Sequence, residues 1–231
     1  MISMTTSKCR AVLLQLKSLS NAENVAGMAR FGINPKNTYG ISIPNLRRIA
    51  KELGTDHVLA LQLWKSKIHE ARILASMIDS PDRVSSKQMD FWANDFDSWD
   101  VCDQCCSNLF DKTAHAYTKA VEWNSSGKEF VKRAGFSLMA ALAAHDKTAT
   151  DRQFIEFLKI IEERSDDERN FVKKSVNWAL RGIGKRNVRL NAAAIASAHR
   201  IRQRDSSASR WIASDALREL TNPKVQKRLH R

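Results

Sequence analysis

Apolar residues recur every three to four positions along nearly the whole chain. They alternate with period two over no useful length. That spacing draws a hydrophobic stripe down one side of an α-helix and cannot line one face of a strand. "DHVLALQLWKS", "EARILASMIDSPD", "FVKRAGFSLMAALAAH" and "DRQFIEFLKIIEER" carry it, and so do "ERNFVKKSVNWALRGIGK", "LNAAAIASAHRIRQR" and "SRWIASDALRELTNP". "IPNLRRIAKELG", residues 43–54, marks its own ends. Pro44 suits a first helical turn, where its missing N–H costs nothing, and Gly54 suits a C-terminal cap. The eight glycines and four prolines fall mostly between such segments, and β-branched clusters flanking Asn-Gly or Asp-Gly turns are absent. The chain is expected to be all-α.

A weak internal repeat narrows this further. "FVKRAGFSLM" (130–139) realigns with "FVKKSVNWAL" (171–180) at an offset of 41, and "WALRGI" (178–183) with "DALREL" (215–220) at an offset of 37. Periods near 40 residues with two helices per unit are the signature of HEAT-type repeats, stacked so that each unit covers its neighbour's apolar face. The expectation is a HEAT-like repeat α-solenoid whose concave, basic face could follow a duplex. "WNSSGKE" (123–129) and "RQRDSSASR" (202–210) are short enough to be inter-helix connections, so residues 1–231 read as a single domain.

The net charge is +13, and it is unevenly placed. Residues 169–231 hold 16 Lys and Arg against three acids, Asp205, Asp215 and Glu219, whereas residues 1–168 hold 22 of each sign and cancel. A one-sided basic region is the electrostatic footprint of a polyanion partner, and nucleic acid is expected. No apolar run approaches the roughly 20 residues of a membrane span. The N-terminal apolar stretch, Ala11 to Leu16, is short for a signal peptide and no small-residue cleavage site follows it, so a cytoplasmic location and no membrane contact are expected.

"DSWDVCDQCC", residues 97–106, concentrates the chemistry-bearing side chains. Cys102, Cys105 and Cys106 lack the second ligand pair of a structural zinc site and the βαβ context of a redox motif, and read as small core residues. No metal or other cofactor is expected, and no Gly-rich phosphate loop occurs. Trp99 and Asp103 stand four apart and share a helix face, while Asp97 and Asp100 are expected to point elsewhere.

"SWDVCD", with Trp99 and Asp103, resembles the W-D-x-x-D segment of the bacterial HEAT-like repeat DNA alkylation repair glycosylases, the AlkD family. "FVKRAGF" resembles the helix carrying that family's functional arginine, which falls on Arg133. "FVKKSVNWALRG" resembles the segment carrying its second functional tryptophan, which falls on Trp178. "YGISIPNLRRIAKEL" (39–53) and "LWKSKIHEARILASMI" (63–78) resemble its N-terminal helices. The likeness spans roughly residues 25–185. The cysteine-rich filling after Asp103 departs from the pattern, and the chain beyond residue 190 matches only in its basic character.

The resemblance implies hydrolysis of the N-glycosidic bond of N3- or N7-alkylated purines in double-stranded DNA, by a monomer. Ordinary glycoside hydrolysis needs two carboxyl groups because a neutral leaving group must be protonated. An alkylated purine already carries positive charge and can leave without an acid. One carboxylate, Asp103, could then stabilise the oxocarbenium-like sugar and place water. Trp99 and Trp178 would flank the lesion nucleotide and exclude bulk water. Arg133 would grip a phosphate, which its planar fork suits. Lys173, Lys174, Arg181, Lys185, Arg186 and Arg189 could add backbone contacts. The alternative is a non-catalytic HEAT-repeat module that binds nucleic acid by shape.

Overall fold

The computed structural model describes residues 7–230, and every regular element among them is a helix. They form two compact units, one through Thr113 and one from Ala114 onward.

The first unit contains α1 (Ser7–Ser18), α2 (Ala22–Arg30), α3 (Ile43–Leu53), α4 (His57–Lys65), α5 (His69–Ile78), α6 (Ser86–Asn94) and α7 (Trp99–Asn108), with single 3₁₀ turns at Pro81–Arg83 and Phe110–Lys112. The expected α3 boundaries hold: Pro44 sits in the first turn and Gly54 caps the end at φ 69°. Asp56 starts α4 by accepting the Leu59 N–H at 2.9 Å. α5 is the central helix. It packs against α3, α4 and α7, and nine of its ten residues are buried. Its apolar residues run all round it, and each polar one that enters the core has a partner. Glu70, fully buried, accepts the backbone N–H groups of Tyr39, Gly40 and Ile41 at 2.6–3.2 Å. Arg72 donates to Asp97 at 2.6 Å and to the Asp95 carbonyl at 3.0 Å. Below it Trp64 and Trp92 stack with centroids 4.0 Å apart, a pairing worth about 0.5–1.5 kcal/mol beyond burial.

Gly40 is required where the Glu70 clamp closes. Its φ is 74°, and a Cβ there would stand 2.4 Å from the Asn21 carbonyl oxygen. This loop and the end of α2 form one side of the cavity described below.

The second unit contains α8 (Ala116–Trp123), α9 (Glu129–His145), α10 (Asp151–Glu163), α11 (Asn170–Gly184), α12 (Val188–Arg202), α13 (Ser207–Leu220) and α14 (Pro223–Leu229). Its packing makes the repeat physical. α9, α11 and α13 lie side by side in one layer, while α8 backs α9, and α10 and α12 back α11. The residues aligned in sequence meet in space: the Phe130 and Phe171 rings are 5.5 Å apart. α13 ends at Leu220, just before "TNP", and Pro223 begins α14, with Asn222 accepting the Lys224 N–H.

Candidate functional site

α7 begins at Trp99, and its first turns hold Trp99 and Asp103 on one wall of a cavity of about 640 Å³ inside the first unit. Met28 and Phe31 from the end of α2, Ile41 in the Glu70 clamp, and Ile73 of α5 supply apolar walls. Trp99 is half-buried, and its indole N–H donates to the Phe31 carbonyl at 3.1 Å, which ties α7 to α2 across the mouth. Phe31 lines the cavity while 73% exposed, so the cavity opens to solvent there.

Asp97 points elsewhere, toward Arg72 and Asn34, as the helix reading expected. Asp100 does not. It lines the same cavity as Asp103, drawn in by His69 at 2.8 Å and by the Ser98 hydroxyl at 2.7 Å. At the helix's first turn a short side chain can bend back to partners that a mid-helix residue could not reach. Burial pushes the Asp100 carboxyl up, but the His69 and Ser98 hydrogen bonds outweigh it and hold the group below the ordinary aspartate range. His69 itself is 1% exposed, and its Nδ1 has no partner in the protein. Glu23 adds a third acid to the wall, and among the described residues no Lys or Arg lines the cavity. His69, Asp100, Glu23 and Phe31 were not legible as site residues. His69 meets Asp100 from 31 residues away and Phe31 meets Trp99 from 68, and no local spacing announces such pairs.

Cys102, Cys105 and Cys106 pack in the core behind this wall, each fully buried. Burial raises the Cys105 and Cys106 thiols well above their ordinary value. No cluster of three or more His, Cys, Asp or Glu among the described residues is placed to hold a metal ion.

Trp178 and Arg133 belong to the second unit. Trp178, half-buried on α11, lines a polar cavity of about 600 Å³ with Lys147, Lys185, Arg186, Arg228 and one acid, Asp151. Arg133 is only 6% exposed, and its Nη1 donates to the Phe171 carbonyl at 2.6 Å, joining the repeat-equivalent helices α9 and α11. The candidate backbone-binding cations divide. Arg181 and Lys185 pair with Glu219. Arg186 donates to the Ala143 carbonyl and lies over the Phe154 ring, and Lys173 lies over Trp211. Lys174 and Arg189 are exposed.

The charge segregation seen along the chain is partly undone by folding. Arg169, Arg200 and Arg204 pair with Asp167, Glu162 and Asp166, acids that precede residue 169. Counted by compact unit the imbalance persists: 24 basic and 13 acidic residues in the second, 14 and 12 in the first.

Residues 12–220 match the model of the family described as DNA alkylation repair enzyme. A solved structure described as a new family of proteins related to the HEAT-like repeat DNA glycosylases, with affinity for branched DNA structures, superposes with a TM-score of 0.76. It is 19% identical, over 91% of this chain and 94% of that one. A designed armadillo repeat protein in complex with a (KR)4 peptide is 14% identical over 80% and 88% of the two chains, at a TM-score of 0.36. Among curated protein sequences, none matches the chain. The all-helical HEAT-like repeat fold expected from the periodicity is the fold found.

Proposed function

This chain belongs to the family of DNA alkylation repair enzymes, and from that premise we propose that it is a DNA glycosylase releasing cationic N3- or N7-alkylated purines from duplex DNA. One observation carries the reading: Trp99 and Asp103 share the wall of an open, largely apolar cavity that, among the described residues, is lined by three acids and no Lys or Arg. In the proposed reaction the C1′–N bond breaks and its electron pair neutralises the departing base. Water bonds to C1′ and gives its proton to Asp103, whose charge also stabilises the developing sugar cation. Low surrounding polarity strengthens that interaction. Asp100, held below the ordinary range, is ionised at neutral pH and cannot serve as a proton donor. Trp178 and the basic second unit are proposed to engage the sugar and backbone. Arg133 is proposed to meet a phosphate with an edge of a guanidinium that already braces α11.

The leaving group's charge should therefore govern the rate. Single-turnover release of N7-methylguanine should be readily measured, and that of hypoxanthine, a neutral base, far slower or absent. Comparable rates on the two duplexes would show that a general acid operates and that the one-carboxylate reading is wrong.

A second reading, a non-catalytic module for shaped or branched DNA, is favoured by the polar, cation-lined cavity beside Trp178 and by the fold neighbour's described affinity. Release of neither base, with DNA binding retained, would decide for it.

A further inference from the structure

We propose that the cavity beside Trp178 seats one backbone phosphate of the DNA, and that α14, which lies beyond the residues matching the family, completes it. The inference rests on DNA being the partner and not on base release. Four cations line the cavity, Lys147, Lys185, Arg186 and Arg228, against the single acid Asp151. Asp151 already accepts the Asn187 amide at 2.8 Å. Elsewhere in the second unit folding neutralises cations: Arg169, Arg200 and Arg204 each meet an acid, and Lys185 itself meets Glu219. Among the described residues, Lys147, Arg186 and Arg228 form no ion pair. Like charges gathered at one cavity repel, and a bound anion removes that cost. Arg186 is held ready. Its Nη1 donates to the Ala143 carbonyl, its Cζ lies 4.1 Å from the Phe154 ring centroid, and its Nε has no partner in the protein. A planar fork fixed in this way loses little freedom on gripping a phosphate. Arg228 is exposed, but α14 is tied down: the Gln226 amide donates to Asn191 Oδ1 at 3.0 Å and to the Leu220 carbonyl at 2.6 Å. The cavity, about 600 Å³, is far larger than one phosphate group, and Trp178 forms part of its wall. A stretch of strand fits that combination better than a free anion, with a sugar at the indole and a phosphate at the arginines. Arg186 lies eight residues beyond Trp178, at most about 12 Å at 1.5 Å per residue. Each strand carries a phosphate about every 3.4 Å of duplex axis, so the seated phosphate lies within about four nucleotides of the sugar at Trp178.

Arg228→Ala tests this without harming the fold, because the side chain is exposed. Lys227→Ala is the control: it removes the same charge from the same helix at an exposed residue outside the cavity lining. On undamaged duplex Arg228→Ala should weaken binding about 10-fold, the size of one charge-assisted hydrogen bond, and lower the log–log salt slope by about one. Lys227→Ala should do neither. No change with Arg228→Ala, or an equal change with Lys227→Ala, would overturn the pocket. Calorimetric titration with inorganic phosphate tests the other source of the same chemistry. Phosphate binding lost in Arg228→Ala, with the salt slope on DNA unchanged, would assign the cavity to a free anion and overturn the backbone assignment. A second set of duplexes locates the contact. Each holds one N7-methyldeoxyguanosine whose sugar carries a 2′-fluorine, which disfavours the sugar cation and preserves the bond. Each also replaces one phosphate within about four nucleotides of the lesion by a neutral methylphosphonate. One position should cost the parent about 10-fold and cost Arg228→Ala nothing further, the mark of two groups that act on each other. A slope change specific to Arg228 without any such position would show that the lesion does not set the register. That result would remove the glycosylase reading and leave the pocket standing.

Discussion

At the scale of single residues, Asp103 carries the largest expectation. Asn has nearly the same shape but no charge to stabilise a sugar cation and no basic oxygen for water's proton. Asp103→Asn should therefore cost at least about 100-fold in base release, the size of losing one well-placed electrostatic group. Affinity for the intact lesion duplex should be nearly unchanged, since backbone contacts dominate it. Single-turnover kinetics and a binding titration on the same duplex measure both, and equal release by mutant and parent would remove Asp103 from the mechanism. Arg133 shows how a residue type can be recognised without its geometry. Its place on α9 follows from "FVKRAGF", but its 6% exposure and its bond to the Phe171 carbonyl follow from the pairing of α9 with α11, 41 residues on.

At the scale of elements, the cavity depends on a clamp that is remote from its chemistry. Glu70 gathers three backbone N–H groups from residues 39–41 and so holds Gly40 and Ile41 in the wall. Removing a buried acceptor leaves those donors unsatisfied, at about 1–3 kcal/mol for each such group, so Glu70→Ala should lower unfolding stability by about 3 kcal/mol or more. Urea denaturation at neutral pH tests this, and a loss under about 1 kcal/mol would mean the loop finds other partners. In the second unit Glu168 does comparable work at the start of α13. It accepts the Ser207 hydroxyl, the Ala208 N–H and the Ser206 hydroxyl, which together hold its carboxyl down to about 2 from the ordinary 4.5. Asp167 is also held low: burial would raise it, but hydrogen bonds from Arg169 and Lys132 prevail. A carboxyl depressed in the folded state adds stability that is fully present above its unfolded value and is lost as pH falls through its folded one. Stability should therefore be flat above about pH 5 and fall progressively between about pH 4.5 and 2. Glu168→Gln should flatten part of that fall, and urea midpoints measured across this range would show an unchanged slope if the reading is wrong.

At the scale of the whole molecule, charge is the property with the clearest consequence. The second unit carries a net +11 and the first +2. Several of those cations are held by internal acids, which leaves fewer for a polyanion than the linear count suggests. If about six phosphates are neutralised, the log–log slope of affinity for undamaged duplex against salt should be near −5. Fluorescence anisotropy across a salt series measures it, and a slope near zero would show that the basic surface serves only solubility.

The sequence by itself determined the all-helical class, eight of the helices, the ends of α3 and the repeat, because those depend on residues within a few positions of one another. Apolar spacing orients a helix, Pro44 starts one, Gly54 stops one, and "FVKRAGFSLM" and "FVKKSVNWAL" differ too little to fold differently. It also placed Trp99 and Asp103 on one face, since four residues of helix leave no other choice. Tertiary structure alone decided that this face borders a cavity, that Asp100 turns into it beside His69, and that Phe31 stands at its mouth. It also decided that Arg133 braces a neighbouring helix and that most of the apparent backbone-binding cations already have partners. Each of those depends on groups brought together across about 30 to 70 positions, and such pairings are set by which helix faces pack, which no local spacing encodes.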